Sequence, residues 1–160
     1  MSEPTQDSAS ALGRIPSGIF ILTTGKGKQS TGMLASWVQQ AGFDPPMVTV
    51  AVRQDRYIAD WIAETGRFTL NQVAAGNKGL LKHFGKGFDP DEEAFKGIEL
   101  IDNHNDSLIL KQALAFLSCE VAGSIDSGDH RIFLARVIEG QRLDHEAEPM
   151  VHLRRSGSHY

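Results

Sequence analysis

The chain has 160 residues, 41% of them hydrophobic and 22% charged, with a formal net charge of −4. That length and apolar content suit one domain whose core folds without staples, and the mildly negative charge gives no electrostatic basis for binding nucleic acid or an anionic membrane. Cys119 is the only cysteine, which excludes an internal disulfide, a CxxC redox pair and a cysteine-based zinc site.

Residues 1–10 are polar, with Pro4, two acidic residues and three serines, and read as a flexible leader to a domain spanning 11–160. They lack the basic start and apolar centre of a signal peptide. No apolar run reaches the roughly 20 residues of a membrane helix, so a cytoplasmic protein is expected. Arg14-Ile15-Pro16-Ser17-Gly18 is a turn-rich lead-in to the β-branched and aromatic run Ile19-Phe20-Ile21-Leu22-Thr23-Thr24. Gly25-Lys26-Gly27-Lys28 has the composition of a hairpin turn, so Thr31-Gly32-Met33-Leu34-Ala35-Ser36-Trp37-Val38 is expected to return as the second strand. Its mixture of residues suits a surface that holds a flat, partly polar ligand. Gly32, Ala35 and Ser36 let backbone N–H groups come close, and Trp37 offers a π-face and one donor. An ordinary half-buried strand has the same pattern. Phe43-Asp44-Pro45-Pro46 is a stop before a third strand, Met47-Val48-Thr49-Val50-Ala51-Val52, and three strands in this span indicate an antiparallel meander.

From Asp55 the period changes. Ile58, Trp61 and Ile62 fall at i, i+3 and i+4, with Asp55 as a cap and Gly66 as a stop, which predicts a short amphipathic helix. A strand over 68–73 and a second helix over 77–84 follow, the latter carrying Leu80, Leu81 and Phe84 on one face although Gly79 weakens it. Residues 85–107 read as a surface excursion with little regular structure, and segments of that length often cover a site. Residues 113–124 and 131–139 form a second hairpin around Asp126-Ser127-Gly128-Asp129. About six strands with two short helices predict a mainly β fold, a closed or nearly closed antiparallel barrel, since closure removes exposed sheet edges.

Several motifs are excluded by spacing. Gly27-Lys28-Gln29 lacks the Ser or Thr of a phosphate loop, and Gly25-x-Gly27 lacks the third glycine and following helix of a dinucleotide fingerprint. The six histidines show no i, i+4 pair in a predicted helix, and no G-x-S-x-G occurs. His130 is the histidine of interest, because it follows Gly128 and Asp129 where a turn gives way to a strand. There it is expected to be rigid yet exposed, suited to bind a ligand edge, steer a nicotinamide or donate a proton; a turn histidine packed on its neighbour is the alternative.

Taken in order, Ala11-Leu12-Gly13-Arg14-Ile15-Pro16-Ser17-Gly18, Met33-Leu34-Ala35-Ser36-Trp37-Val38, Leu81-Lys82-His83-Phe84, Asp129-His130 and Val151-His152-Leu153-Arg154-Arg155 resemble the flavin reductase-like domain, the FMN-binding split barrel. The version at the C-terminus of flavodiiron proteins of oxygenic phototrophs is the most similar. The resemblance implies a homodimeric, Greek-key-like split β-barrel with two or three short helices that binds FMN and transfers hydride to it from NADH or NADPH, passing electrons onward, in some settings to an acceptor protein. By position, Thr31, Met33, Leu34, Ala35, Ser36, Trp37, Val38 and Gln39 would line the flavin, Arg53 or Arg56 would meet its phosphate, and His83, Phe84 and Lys86 would close the site. Asp129 and His130 match the nicotinamide-side motif, with His130 in the catalytic position, and the tail ending at Tyr160 would reach toward the flavin. Gln39-Gln40-Ala41 departs from the hydroxyl-rich strand of many free flavin reductases. The di-iron and flavodoxin-like domains of the flavodiiron relatives do not fit in 160 residues. A noncatalytic FMN relay or storage barrel, and a pyridoxamine-phosphate-oxidase-like or haem-binding barrel, are the competing readings.

Overall fold

The computed structural model describes residues 5–159. In chain order its elements are α1 (Gln6–Gly13), β1 (Ser17–Gly18), β2 (Phe20–Lys26), β3 (Gln29–Ala35), β4 (Val38–Gly42), β5 (Met47–Arg53) and α2 (Tyr57–Thr65). There follow β6 (Arg67–Gln72), α3 (Lys78–Phe84), β7 (Leu100–Ile101), β8 (Ile109–Leu110), β9 (Ala115–Ser127), β10 (His130–Arg142) and β11 (Val151–His152). The mainly β expectation holds.

Seven strands form one antiparallel sheet in the order β3-β2-β6-β9-β10-β5-β4. Its two edge strands are consecutive in the chain and separated only by Ser36 and Trp37, so the sheet has curled until its edges meet at that corner. This overturns the single strand expected over residues 31–38. Thr31 to Ala35 pair with β2, whereas Val38 onward pairs with β5, and β3 and β4 are not ladder partners as a meander would require. The physical cause is the end of β2. Its pairing with β3 stops at Phe20, opposite Ala35, and the backbone beyond needs a new partner. The Trp37 carbonyl already accepts from Ala51 N–H at 3.1 Å.

The barrel interior is built by alternation. Val48, Val50 and Val52 are buried on β5 and pack with Leu22, Ile62, Leu70 and Phe133, while Met47, Thr49 and Ala51 face outward. Helix α2 ends where expected, with Gly66 at φ 67° and its N–H on the Ile62 carbonyl at 2.8 Å. Its N-cap is Arg56, not Asp55, because the Asp55 carboxylate pairs with Arg53 instead. A second apolar cluster (Ile19, Ile21, Val73, Leu80, Phe84, Leu110) packs α3 against the sheet's outer side. The excursion after α3 contributes Phe88, Phe95 and Ile98 to that cluster, so it is anchored although it contains little regular structure.

Two boundaries differ from expectation. Residues 6–10, read as flexible leader, belong to α1: Thr5 caps it by accepting from Ser8 N–H at 3.2 Å, and Ala9 is buried where the Gly157 N–H donates to its carbonyl. The β9–β10 hairpin is longer than predicted, with 13 residues in each strand. Asp126 and Ser127 are ladder residues, which leaves Gly128 (φ 60°) and Asp129 as a two-residue turn that matches the strand twist. Among the described residues no helix is long and apolar enough to cross a membrane, and no group of three or more His, Cys, Asp or Glu is placed to hold a metal.

Candidate functional site

Two adjoining clefts share Met33 and Arg56 as a common wall. The first, about 230 Å³, is bounded by the end of β3 from Met33 to Ser36, by Ala51 and Arg53 of β5, and by Phe84 and His152. The second, about 280 Å³, lies between Thr31 and Met33, the start of α2, and Lys86 to Phe88. The first is walled where α3 delivers the Phe84 ring beneath β3. A Cβ on Gly32 would stand 2.8 Å from that ring, so Gly32 serves helix packing rather than approach to a ligand.

The second cleft is cationic at its mouth. Arg56 occupies the N-cap of α2, where no side chain caps the helix, so N–H groups and a guanidinium face the same space. Among the described residues neither Arg56 nor Lys86 forms an ion pair, whereas Arg53 makes two hydrogen bonds to Asp55, at 3.1 and 2.9 Å. Of the two candidate arginines, Arg56 is therefore the one with an uncommitted charge. The wall behind it is fixed by Tyr57, whose hydroxyl donates to the Phe88 carbonyl at 2.7 Å and lies 2.9 Å from the Thr31 hydroxyl. Thr31 lines the cleft, but its hydroxyl is engaged with Tyr57.

His130 lies across the strand ladder from Arg53. Its Nδ1–H donates to the Asp129 carboxylate at 2.6 Å, and this hydrogen bond, together with the imidazole's charge, holds the Asp129 carboxyl below the usual carboxylate range. The ring is held by contacts on two sides, and the expectation of exposure is not met. His130 is only 7% exposed, its ring 4.6 Å from that of Trp37. Trp37 in turn has the Arg154 guanidinium 5.1 Å from its ring centre, so its faces meet residues of the same chain.

The site residues expected from sequence thus separate into groups. Met33, Leu34, Ala35, Ser36, Arg53, Arg56 and Phe84 are brought together around the first cleft, and Thr31 and Lys86 border the second. Trp37, Val38 and Gln39 turn instead toward a hollow shared with Leu12, Pro16 and Arg154, because the corner after Ala35 sends them to the other side of the seam. Only Ser36 borders both. His83 does not reach either cleft: its Nε2 is 2.7 Å from the Ala94 carbonyl, and its ring packs on Phe84 and Phe88, pinning the loop after α3. Tyr160 lies outside the described residues.

Tyr57 and His152 border the clefts without having been singled out as site residues; their signals were weak, an aromatic at a helix start and a histidine in an apolar run after Pro149. Cys119 is no nucleophile here, since burial pushes its thiol up to about 12.

Known proteins sharpen this picture. The chain is 43% identical over 155 residues to diflavin flavoprotein A 1 of Synechocystis sp., an alignment that covers 96% of this chain but 27% of that protein. Its fold resembles the NADH:FAD oxidoreductase SgcE6 of Streptomyces globisporus, with a TM-score of 0.84 at 24% identity, covering 98% of this chain and 93% of that one. It also resembles flavin reductase HpaC, solved with NADP+, with a TM-score of 0.78 at 25% identity and 91% of each chain covered. The chain therefore spans about a quarter of its curated relative and nearly the whole of the solved reductases. The model of the flavin reductase like domain matches residues 12–158, and the chain belongs to that family of flavin-related oxidoreductases.

Proposed function

We propose that this chain binds FMN in the paired clefts and passes hydride to it from NADH or NADPH, electrons then leaving to a downstream acceptor. The observation that carries the reading is that the two clefts adjoin. A cleft beside the end of β3 adjoins, across the shared wall of Met33 and Arg56, a cationic pocket at an uncapped helix start. That sequence of surfaces fits a flat ring joined to a phosphate. Arg56, Lys86 and the first N–H groups of α2 would hold the phosphate, for which guanidinium and helix dipole both favour an anion. The backbone from Met33 to Ser36 and the Phe84 wall would hold the ring.

Bound flavin supplies the hydride acceptor. The protein's share is orientation and electrostatics: Arg56 fixes one end, and the Asp129-bound imidazole of His130 steers the nicotinamide at the other. The outward faces of β5, β9 and β10 carry Ala51, Ile132, Leu134 and Ile125, the last two 38% and 66% exposed, and this apolar strip supports a homodimer. Because the matching relative is a diflavin protein of which this chain covers 27%, a second flavoprotein is the acceptor this reading favours.

The burial of His130 under Trp37 favours a second reading, an FMN relay fed by a protein donor without a nicotinamide. Anaerobic addition of NADH or NADPH to the FMN-loaded protein separates the two. Bleaching of the flavin by either nucleotide supports the reductase, and a flavin that stays oxidised with both supports the relay.

A further inference from the structure

The tip of the β9–β10 hairpin poses a backbone problem that one residue answers. The ladder between β10 and β5 ends at the pair His130 and Arg53, so the carbonyls of Gly128 and Asp129 lie beyond the last strand pair and that of His130 lies at its edge. Gln54 meets all three. Its N–H donates to the Asp129 carbonyl at 2.9 Å, and its side-chain Nε2 donates to the Gly128 carbonyl at 3.1 Å and the His130 carbonyl at 3.0 Å. Both hydrogens of one amide are thereby spent on the tip.

The position of Gln54 in the chain gives this clamp a second consequence. It follows Arg53, which borders the first cleft, and precedes by two residues Arg56, the N-cap of α2 and the shared wall of both clefts. The tip that carries His130 is therefore tied directly to the turn that carries the cations. The β9–β10 ladder carries the turn, and these bonds fix its tip against the turn before α2.

We infer that Gln54 is a positioning residue, which acts through His130 and sets where its imidazole stands relative to the nicotinamide. The inference rests on the reductase reading above. Gln54 touches neither cleft, so its removal acts on the nucleotide and not on FMN. Gln54→Glu keeps the shape but replaces the donor with a carboxylate facing two carbonyls, and Gln54→Lys restores a donor of similar reach.

The test is steady-state nucleotide oxidation by the FMN-loaded wild-type protein, Q54E, Q54K, H130A and the double variant Q54E/H130A, with the FMN Kd measured for each. For Q54E the expected result is a KM for the nucleotide raised about tenfold, the loss typical of one to two hydrogen bonds, with FMN Kd and kcat each within about twofold of wild type. Q54K is expected to recover most of the KM. In the H130A background Q54E is expected to add nothing, because a residue acting through His130 is silent once His130 is gone. Full additivity of the two substitutions, or a rise in FMN Kd equal to the rise in KM, would overturn the inference while the reductase reading stands. A wild-type protein that oxidises neither nucleotide would overturn both.

Discussion

At the end of the clefts beside α2, Arg56 and Lys86 stand exposed and unpaired among the described residues, while across β5 the imidazole of His130 is buried, bonded to Asp129 and packed on Trp37. The first end is charge without fixed geometry, and the second is fixed geometry with little exposed charge. Long cationic side chains at a helix start attract an anion from many directions and settle around it when it arrives. A clamped ring can steer a partner but contributes little to holding it. The difference implies a division of labour, with affinity for the cofactor set at one end and the rate of its reduction at the other.

The substitution that breaks both ends together is Phe84→Ala. Phe84 is fully buried under Gly32 and walls the first cleft, so its loss is expected to cost about 3–5 kcal/mol of stability, read as a lowered Tm, and to abolish FMN binding. Arg56→Ala attacks the cationic end alone. An FMN Kd raised about 10- to 100-fold is expected, from the loss of a charge-assisted contact, with a weakened dependence of that Kd on salt; fluorescence quenching of free FMN measures both. His130→Ala attacks the other end and is expected to leave the FMN Kd within about twofold of wild type, since removing one imidazole takes no contact from the cofactor's phosphate. A large loss of FMN binding in that variant would mean that the two ends are not separate. Arg53→Ala should have the smallest effect, an FMN Kd and a rate of reduction each within about twofold of wild type, because its charge is already committed to Asp55 in an exposed pair.

Much of the fold is legible in the sequence because local chemistry and tertiary packing agree there. Val48, Val50 and Val52 alternate with outward residues, Ile58 and Ile62 repeat at helical spacing before Gly66, and Gly128-Asp129 form the turn that their composition suggests. Helix α1 was missed because its buried face, at Ala9 and Gly13, packs on the distant tail near Ser156 and Gly157. The corner at Ser36-Trp37 is invisible locally for a similar reason: it falls where β2 stops offering partners, and nothing within residues 31–38 records that length.

The site divides in the same way. Met33 to Ser36, Arg56 and Phe84 came from the ordered resemblance, and the structure gathers them. Trp37, Val38 and Gln39 were carried along by contiguity with that motif and then separated from it by the corner. The Arg53 or Arg56 alternative could not be decided from sequence, since two arginines flanking one aspartate look alike until their pairing is seen. His83 looked like a site residue but spends its ring on the loop after α3, whereas Gln54 looked like nothing and ties two ends together.

The division of labour is tested most directly by anaerobic single-turnover reduction of protein saturated with FMN, followed by flavin absorbance in the wild type, Arg56→Ala and His130→Ala. At a nucleotide concentration below KM, wild type and Arg56→Ala should bleach at the same rate once saturated with FMN, and His130→Ala about tenfold more slowly, the loss of one to two hydrogen bonds to the nucleotide. An Arg56→Ala protein as slow as His130→Ala, or a His130→Ala protein as fast as wild type, would contradict it.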